Sequence, residues 1–292
     1  MNLKSKPNSS SKNRVDSLER VDSHQHFWLL SRGDYDWLTK SLQPIYRDFL
    51  AKELEPLMLG AGVSKTIIVQ AAETNAETDF LLNIAEQTYF VAGVVGWVDM
   101  EDINAVERLE GLAKNPLFKG IRPMIQDIQD DQWMLKEQLD PVFQALMELD
   151  LRFDALVKPQ HLPYLQTLLA RYPKLKVVID HGAKPDIASG QTQQWAKDIS
   201  EIARNSDAHC KLSGLLNQAG TDPSLNTITH TINHLIDCFG SERLMWGSDW
   251  PVINLASTYT QWSSMITTYL SSLDAQSQEN IWAKSAQNFY NI

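Results

Sequence analysis

Two histidines that flank a single residue, His24 and His26, stand in the run VDSHQH that begins at residue 21. Because side chains alternate along a strand, both imidazoles point to the same side if this run is a strand. Imidazole can transfer protons, stabilise a developing charge or bind a metal ion. The spacing alone is weakly specific, since two hydrogen-bonded structural histidines at a strand end would show it too.

Two further apolar runs end in ionisable side chains. His181 follows the apolar residues 177–179, and Asp249 follows the apolar residues 244–246. A carboxylate at the end of an apolar strand is costly to bury unless it is solvated, paired or bound to a cation. Asp249 is therefore the strongest single candidate for a site residue, and capping of the next helix or turn is its structural alternative. His181 is assigned to the same site, with a capping role as its alternative.

Five other residues are predicted to bind a substrate. Arg122 could hold a carbonyl or carboxylate oxygen in its guanidinium fork, or form a structural ion pair. Asp154 could accept a hydrogen bond from a substrate hydroxyl or from a neighbouring strand. Trp28, Tyr35 and Trp37 crowd one loop, where they could stack on the C–H face of a sugar-like ring or simply pack as a lid.

The elements that must position these residues alternate along the chain. Eight short β-rich apolar runs, each followed by a stretch of helical periodicity, predict a parallel sheet. The predicted strands are 21–27, 65–71, 91–99, 118–125, 152–157, 176–181, 209–215 and 243–249, and predicted helices include 76–87, 103–114, 141–149, 162–170, 194–204 and 225–238. No dinucleotide or Walker loop is present, which favours a closed (β/α)8 TIM barrel over an open doubly wound sheet. In such a barrel the strand ends named above meet at one mouth. Residues 278–290 are predicted to pack as a last helix on the outside.

Composition limits the remaining alternatives. The chain has 292 residues, of which 43% are hydrophobic. This length and composition suit a single domain of the α/β class over residues 21–292. Residues 1–20 are polar and are predicted to form a disordered tail. The net charge of −10, with no basic run, argues against a nucleic-acid partner. No run approaches the length of a membrane helix or the apolar core of a signal peptide, so we expect no membrane partner and a cytoplasmic location.

Taken in order, the motifs resemble the amidohydrolase superfamily. They are VDSHQHFW from residue 21, GVVGWVD from 93, KGIRP from 119, IDHGAKP from 179, CKLSGL from 210 and WGSDWP from 246. More narrowly they are similar to its amidohydrolase-2 branch of sugar lactonases, over nearly the whole chain after residue 20. Several motifs in one order are far more specific than any one of them.

The resemblance implies a hydrolase that opens an aldonolactone, such as L-fucono- or L-rhamnono-lactone, to the free acid. It implies that His24, His26, His181 and Asp249 surround the lactone carbonyl, with Asp249 activating water and the other groups, with Arg122, stabilising the charge that develops.

The resemblance also bears on metal binding. A two-metal centre is disfavoured because the fourth run ends in Arg122 rather than a lysine, and the fifth offers Asp154 and no histidine. One divalent ion such as zinc, held by His24, His26 and Asp249, suits these ligand types. Catalysis without a metal stays open beside it.

Other functions stay open as well. A pyrone-dicarboxylate lactonase would need several arginines at the mouth, and only Arg122 is placed there. A metal-dependent non-oxidative decarboxylase shares the His-x-His start, and a catalytically silent barrel could bind a metabolite. The identity of the sugar, the size of the lactone ring and assembly into a homo-oligomer are not decided by the sequence.

Overall fold

A computed structural model describes residues 18–292. Its strands are β1 (Arg20–Gln25), β2 (Val63–Val69), β3 (Val91–Gly96), β4 (Phe118–Ile121), β5 (Arg152–Ala155), β6 (Lys176–Ile179), β7 (His209–Leu212) and β8 (Leu244–Trp246). Its helices are α1 (Ala51–Gly60), α2 (Asn75–Glu86), α3 (Ala105–Leu112), α4 (Asp140–Glu148), α5 (Leu162–Arg171), α6 (Gln193–Asn205), α7 (Leu225–Phe239), α8 (Tyr259–Leu270), α9 (Ala275–Glu279) and α10 (Ser285–Tyr290). The tail predicted over residues 1–20 falls largely on residues 1–17, which lie outside the described residues.

The strands form one parallel sheet in the order β1 to β8. Just beyond β8 the chain pairs with the end of β1: the His26 amide donates to the Trp250 carbonyl at 2.7 Å, and the Asp249 amide donates to the His24 carbonyl at 2.8 Å. These bonds close the sheet, so the predicted (β/α)8 barrel is confirmed. The strands end before their predicted limits, because the polar residues beyond them leave the ladder and form the mouth.

Two barrel helices, α1 and α8, were not predicted. Both have weak intrinsic helix propensity, since α1 contains Pro56 and α8 is rich in Ser, Thr and aromatic residues. They form because one face of each is buried, through Leu54 and Met58 in α1 and through Trp262 and Ile266 in α8. No helix within residues 18–292 combines the length and apolarity needed to cross a membrane.

The C-terminal segment differs from its prediction. It runs through α9, a π-helical turn (Asn280–Lys284) and α10, and it does not lie on the outside. Phe289 and Tyr290 belong to a buried cluster with Val21 and Met245, and the Tyr290 hydroxyl donates to Oδ2 of Asp154 at 2.7 Å. The segment therefore plugs the end of the barrel opposite the mouth, where the interior apolar side chains would otherwise meet water.

Candidate active site

Three of the predicted site residues, all histidines, converge on a carboxylate oxygen of the fourth, Asp249. Oδ1 of Asp249 lies 3.2 Å from Nε2 of His26, 3.8 Å from Nε2 of His24 and 4.0 Å from Nε2 of His181. All four side chains are buried. The residues come from the ends of β1, β6 and β8, which are far apart in sequence, so only closure of the barrel brings them together.

The local backbone aims these side chains into the mouth. His181 has φ 55° and Asp249 has φ 57°, a left-handed conformation that non-glycine residues seldom adopt and that is often found at functional sites. Two glycines leave room for the site histidines. A Cβ on Gly214 would lie 2.6 Å from Nδ1 of His181, and one on Gly247 would lie 2.7 Å from Cβ of His24. Side chains at either glycine would displace a site histidine.

The hydrogen bonds of the histidine rings decide which ring nitrogens carry the hydrogen and which direct a lone pair into the mouth. Nδ1 of His26 lies 2.8 Å from the Val69 carbonyl oxygen, which can only accept, so Nδ1 carries the hydrogen of the neutral ring. Its Nε2 then turns a lone pair toward the Asp249 carboxylate. Two acceptors face each other there, and a cation or a proton between them would relieve their repulsion. Nδ1 of His181 bonds with the Ser213 hydroxyl at 2.8 Å.

A charged layer lies directly beneath the histidines. Lys211 on β7 is completely buried, and its Nζ is 2.5 Å from Oδ2 of Asp154, 3.0 Å from Oδ1 of Asp180 and 3.1 Å from Nδ1 of His24. An ammonium has three protons, so three acceptors can satisfy it. Lys211 and Asp180 were not predicted as site residues, although a charged residue within or directly after an apolar strand was the available signal.

Asp154 and Arg122 are also part of this layer. Asp154 was predicted to contact substrate, but it is fully buried beneath the mouth and bonded to Lys211, so it does not reach the cavity. Nη1 of Arg122 lies 3.4 Å from Oδ2 of Asp180 and 3.4 Å from Nε2 of His24, and Nη2 donates to the Gln70 carbonyl. Arg122 lines the cavity while most of its guanidinium is engaged by the protein.

Burial controls the protonation of the mouth. Desolvation lowers the pKa of His181 to about 4, lowers the pKa of His26 and takes the pKa of His24 well below its ordinary value. Burial alone would raise the pKa of Asp249, but in acid the protonated imidazoles of His181 and His26 outweigh it and hold this pKa below the ordinary range. Near neutral pH the three rings are therefore neutral and the carboxylate is ionised.

A cavity of about 210 Å³ opens above these groups. The walls contributed by His26, Arg122, His181 and Asp249 are polar, and the rest of the lining adds Gln126, Asp127 and Lys184 with the apolar side chains of Trp37, Ala71, Met124, Leu156 and Val252. Gln126 and Lys184 were not predicted as site residues. They lie in loops after β4 and β6, where no spacing or pattern distinguished them.

The three predicted aromatic contacts have different positions. Trp37 lines the cavity. Trp28 is fully buried, and its indole nitrogen donates to the Arg47 carbonyl at 2.7 Å; the Tyr35 hydroxyl donates to Glu77 at 2.7 Å. The ring centroids of Trp28 and Trp37 are 5.6 Å apart, so Trp28 supports the cavity wall from behind. Within residues 18–292, only Trp37 of the three lies on the cavity.

The donor set fits one divalent cation. Ligand atoms of His24, His26 and Asp249 all lie within 4.8 Å of one another, and imidazole nitrogen with carboxylate oxygen suits zinc. His26 and Asp249 present lone pairs as they stand. His24 presents a third when its Nδ1 donates to Oδ1 of Asp180, 3.4 Å away, instead of accepting from Lys211.

Similarity to known proteins shows the family of this chain. A family model described as Amidohydrolase matches residues 21–292, and the chain belongs to the amidohydrolase family. It is 46% identical to an L-fucono-1,5-lactonase of Burkholderia ambifaria over 247 residues, which are 85% of each protein. It is 33% identical to an L-fucono-1,5-lactonase of Burkholderia multivorans over 93% of this chain and 95% of that one.

Solved structures extend the comparison. A crystal structure of a Burkholderia multivorans amidohydrolase with bound zinc superposes with a TM-score of 0.89 at 33% identity, covering 94% of this chain and 99% of that one. A 2,6-dihydroxybenzoate decarboxylase from Rhizobium matches with a TM-score of 0.67 at 14% identity, over 94% of this chain and 98% of that one. The second likeness shows the fold alone.

Proposed function

We propose that this protein hydrolyses a sugar lactone to its aldonic acid, and that L-fucono-1,5-lactone is the substrate to test first. The observation that carries the proposal is the 46% identity to a lactonase of that specificity over 85% of both chains. The mouth is consistent with it, because the ionised carboxylate of Asp249 and the neutral imidazoles of His26 and His181 line a cavity large enough for a small ring.

Asp249 acts as the general base in this proposal. Its carboxylate takes a proton from water as the water oxygen bonds to the lactone carbonyl carbon. The bond from that carbon to the ring oxygen then breaks, and Asp249 returns the proton to the departing ring oxygen. Because the pKa of Asp249 lies below its ordinary range, the base is ionised throughout the neutral range.

The developing oxyanion needs hydrogen-bond donors. When Nδ1 of His24 accepts from Lys211 at 3.1 Å, the neutral ring carries its hydrogen on Nε2, which faces the mouth. Arg122 adds a fixed positive charge 3.4 Å from the same nitrogen. Donors that are already oriented before reaction stabilise the transition state without reorganising.

A divalent cation is the alternative to the His24 donor, because Nε2 of His24 cannot carry a hydrogen and bind a cation at once. His24, His26 and Asp249 would hold it, and the Burkholderia multivorans relative that contains zinc makes zinc the ion to try. When bound, such an ion polarises a carbonyl and lowers the pKa of water.

The charges of the cavity favour a neutral lactone over a dicarboxylated pyrone. Each carboxylate of such a substrate requires a cationic partner. Among residues 18–292, only Arg122 and Lys184 bring positive charge to the lining, and Arg122 is already engaged by Asp180 and Gln70. A polyhydroxylated lactone needs hydrogen bonds rather than two full counter-charges.

The test is a panel of substrates followed by release of acid, with and without a chelator. We expect rapid opening of L-fucono-1,5-lactone, slower opening of other aldonolactones and little hydrolysis of 2-pyrone-4,6-dicarboxylate. Release of carbon dioxide from 2,6-dihydroxybenzoate serves as the decarboxylase control. Sugar lactones that open no faster than in buffer, or a preference for the pyrone, would contradict the proposal.

A further inference from the structure

Lys184 stands on the cavity without an assigned role. It lies three residues after His181, at the end of a turn in which all four residues from His181 to Lys184 have positive φ. Its side chain is half-buried and lines the cavity. Among residues 18–292, Nζ has one hydrogen-bond partner, Oε1 of Gln126, and no carboxylate oxygen lies within 4.0 Å of it.

Gln126 is held in place by its other polar groups. Its backbone N–H donates to the Leu156 carbonyl at 3.0 Å, and its backbone carbonyl accepts from Nζ of Lys158 at 2.8 Å. In its side chain, Nε2 donates to Oδ2 of Asp127 at 3.0 Å. The one remaining atom, Oε1, faces Lys184. A neutral and fully bonded partner orients the ammonium without neutralising it, which is how a preorganised binding group is built.

Within residues 18–292, Lys184 is the lining cation least engaged by the protein. Arg122 donates to Asp180 and Gln70 through its two Nη atoms, and its Nε is buried. The lining histidines His26 and His181 use their Nδ1 atoms within the protein, for the Val69 carbonyl and the Ser213 hydroxyl. An ammonium donates three hydrogen bonds, and Gln126 takes one, which leaves two donors directed at the cavity.

The position of Lys184 in the barrel decides which part of a lactone it can reach. Gln126 and Lys184 follow β4 and β6, on either side of β5, whereas His26 and Asp249 follow β1 and β8. In a closed ring of eight strands, β5 stands opposite β1. A lactone with its carbonyl carbon beside Asp249 therefore extends its other ring carbons toward Lys184.

We propose that Lys184, oriented by Gln126, binds a hydroxyl group of the substrate and makes the enzyme selective for polyhydroxylated lactones. The inference rests on the proposed lactone hydrolysis. It adds the enzyme side chain that distinguishes a sugar lactone from a lactone without hydroxyl groups. A site that donates hydrogen bonds to substrate hydroxyls discriminates against analogues that lack them, because its donors are then left without partners.

Two substrates and three variants test this. L-Fucono-1,5-lactone is compared with δ-valerolactone, which has the same ring without hydroxyls. We expect Lys184→Met to lower kcat/KM for the sugar lactone about ten-fold or more, mainly through KM, and to change that for δ-valerolactone less than about two-fold. Gln126→Leu should give a smaller loss of the same kind. Lys119→Met is the matched control, since Lys119 is a half-buried lysine that donates to one neutral oxygen, the Asn291 carbonyl, on the plug side of the barrel.

The outcomes separate the two proposals. A Lys184→Met variant that loses equal activity on both lactones would show that Lys184 serves the bond-breaking step instead, and one that loses none would show that it does not touch the substrate; either result overturns the inference. A parent enzyme that opens neither lactone overturns the proposed function itself. Circular dichroism and melting temperature of each variant distinguish these losses from misfolding.

Discussion

Nζ of Lys211 lies 3.1 Å from Nδ1 of His24 and 2.5 Å from Oδ2 of Asp154, in the centre of the barrel. The same Asp154 oxygen accepts the Tyr290 hydroxyl from the C-terminal plug at 2.7 Å. One buried ammonium therefore connects the catalytic mouth to the opposite end of the barrel. Because such groups are out of reach of water, loss of any member leaves another without a partner.

Lys211→Met should be strongly destabilising. It leaves Asp154 buried without its cation and Asp180 with Arg122 alone, and breaking a buried ion pair in this way costs about 3–5 kcal/mol of unfolding free energy. Denaturation in urea measures the change. Adding Asp154→Asn to the variant should recover part of the loss, because one uncompensated charge is removed. A double variant whose two effects simply add would contradict the coupling.

Tyr290→Phe should weaken the plug without disturbing its apolar packing. The variant removes a hydrogen bond to a buried carboxylate, and bonds to charged groups contribute about 1.5–3 kcal/mol. Tyr89→Phe is the matched control, because the Tyr89 hydroxyl also donates to a carboxylate, that of Glu55, but on the exposed surface. We expect the control to change stability by less than about 0.5 kcal/mol. Equal changes in urea denaturation would argue against the buried bond.

Asp249→Asn tests the general base. An amide of the same shape cannot accept the proton from water, so we expect kcat for lactone opening to fall about a hundred- to ten-thousand-fold. Far-ultraviolet circular dichroism should stay unchanged. Asp36→Asn changes an exposed aspartate in the loop after β1 that contains Tyr35 and Trp37. This variant is the control and should retain full turnover. Near-normal turnover of the Asp249 variant would remove this residue from the mechanism.

Glu77 predicts a pH dependence of stability. Burial raises its pKa to about 7 from 4.5, so the folded state holds a proton that the unfolded state releases over this interval. Its stabilising contribution is complete below about pH 4.5 and is lost as the pH rises through about 7. The advantage of the parent over Glu77→Gln should therefore decrease between about pH 4.5 and 7, by an amount on the order of 3 kcal/mol. Parallel stability curves for parent and variant would contradict it.

Zinc binding can be measured apart from activity. We expect the parent to compete with a chromophoric chelator for zinc, and His26→Ala to weaken the affinity at least about ten-fold, because the lone pair of His26 faces Asp249. His230→Ala removes an exposed histidine of α7 and should not change it. Equal affinities of the parent and His26→Ala would place any bound ion elsewhere.

Most of the architecture was predictable from local patterns. Alternation of apolar β-rich runs with helical periodicity is a property of neighbouring residues, and it correctly indicated eight parallel strands. The lack of a dinucleotide or Walker motif then favoured a closed barrel over an open sheet. The alternation failed for α1 and α8, where burial against the barrel overrides weak propensity. It also failed for the C-terminal segment, because an apolar helix has the same sequence pattern whether it covers the outside of a barrel or plugs its end.

The sequence by itself determined which ionisable groups stand at strand ends, namely His24, His26, His181 and Asp249, because strand periodicity and the cost of burying charge are both readable from local order. Only the tertiary structure decided which of the other polar residues reach the cavity. Asp154 pairs with the buried Lys211, and Lys184 lines the cavity. The physical reason is that partners of a buried charge come from distant strands, so their pairing exists only after the barrel closes.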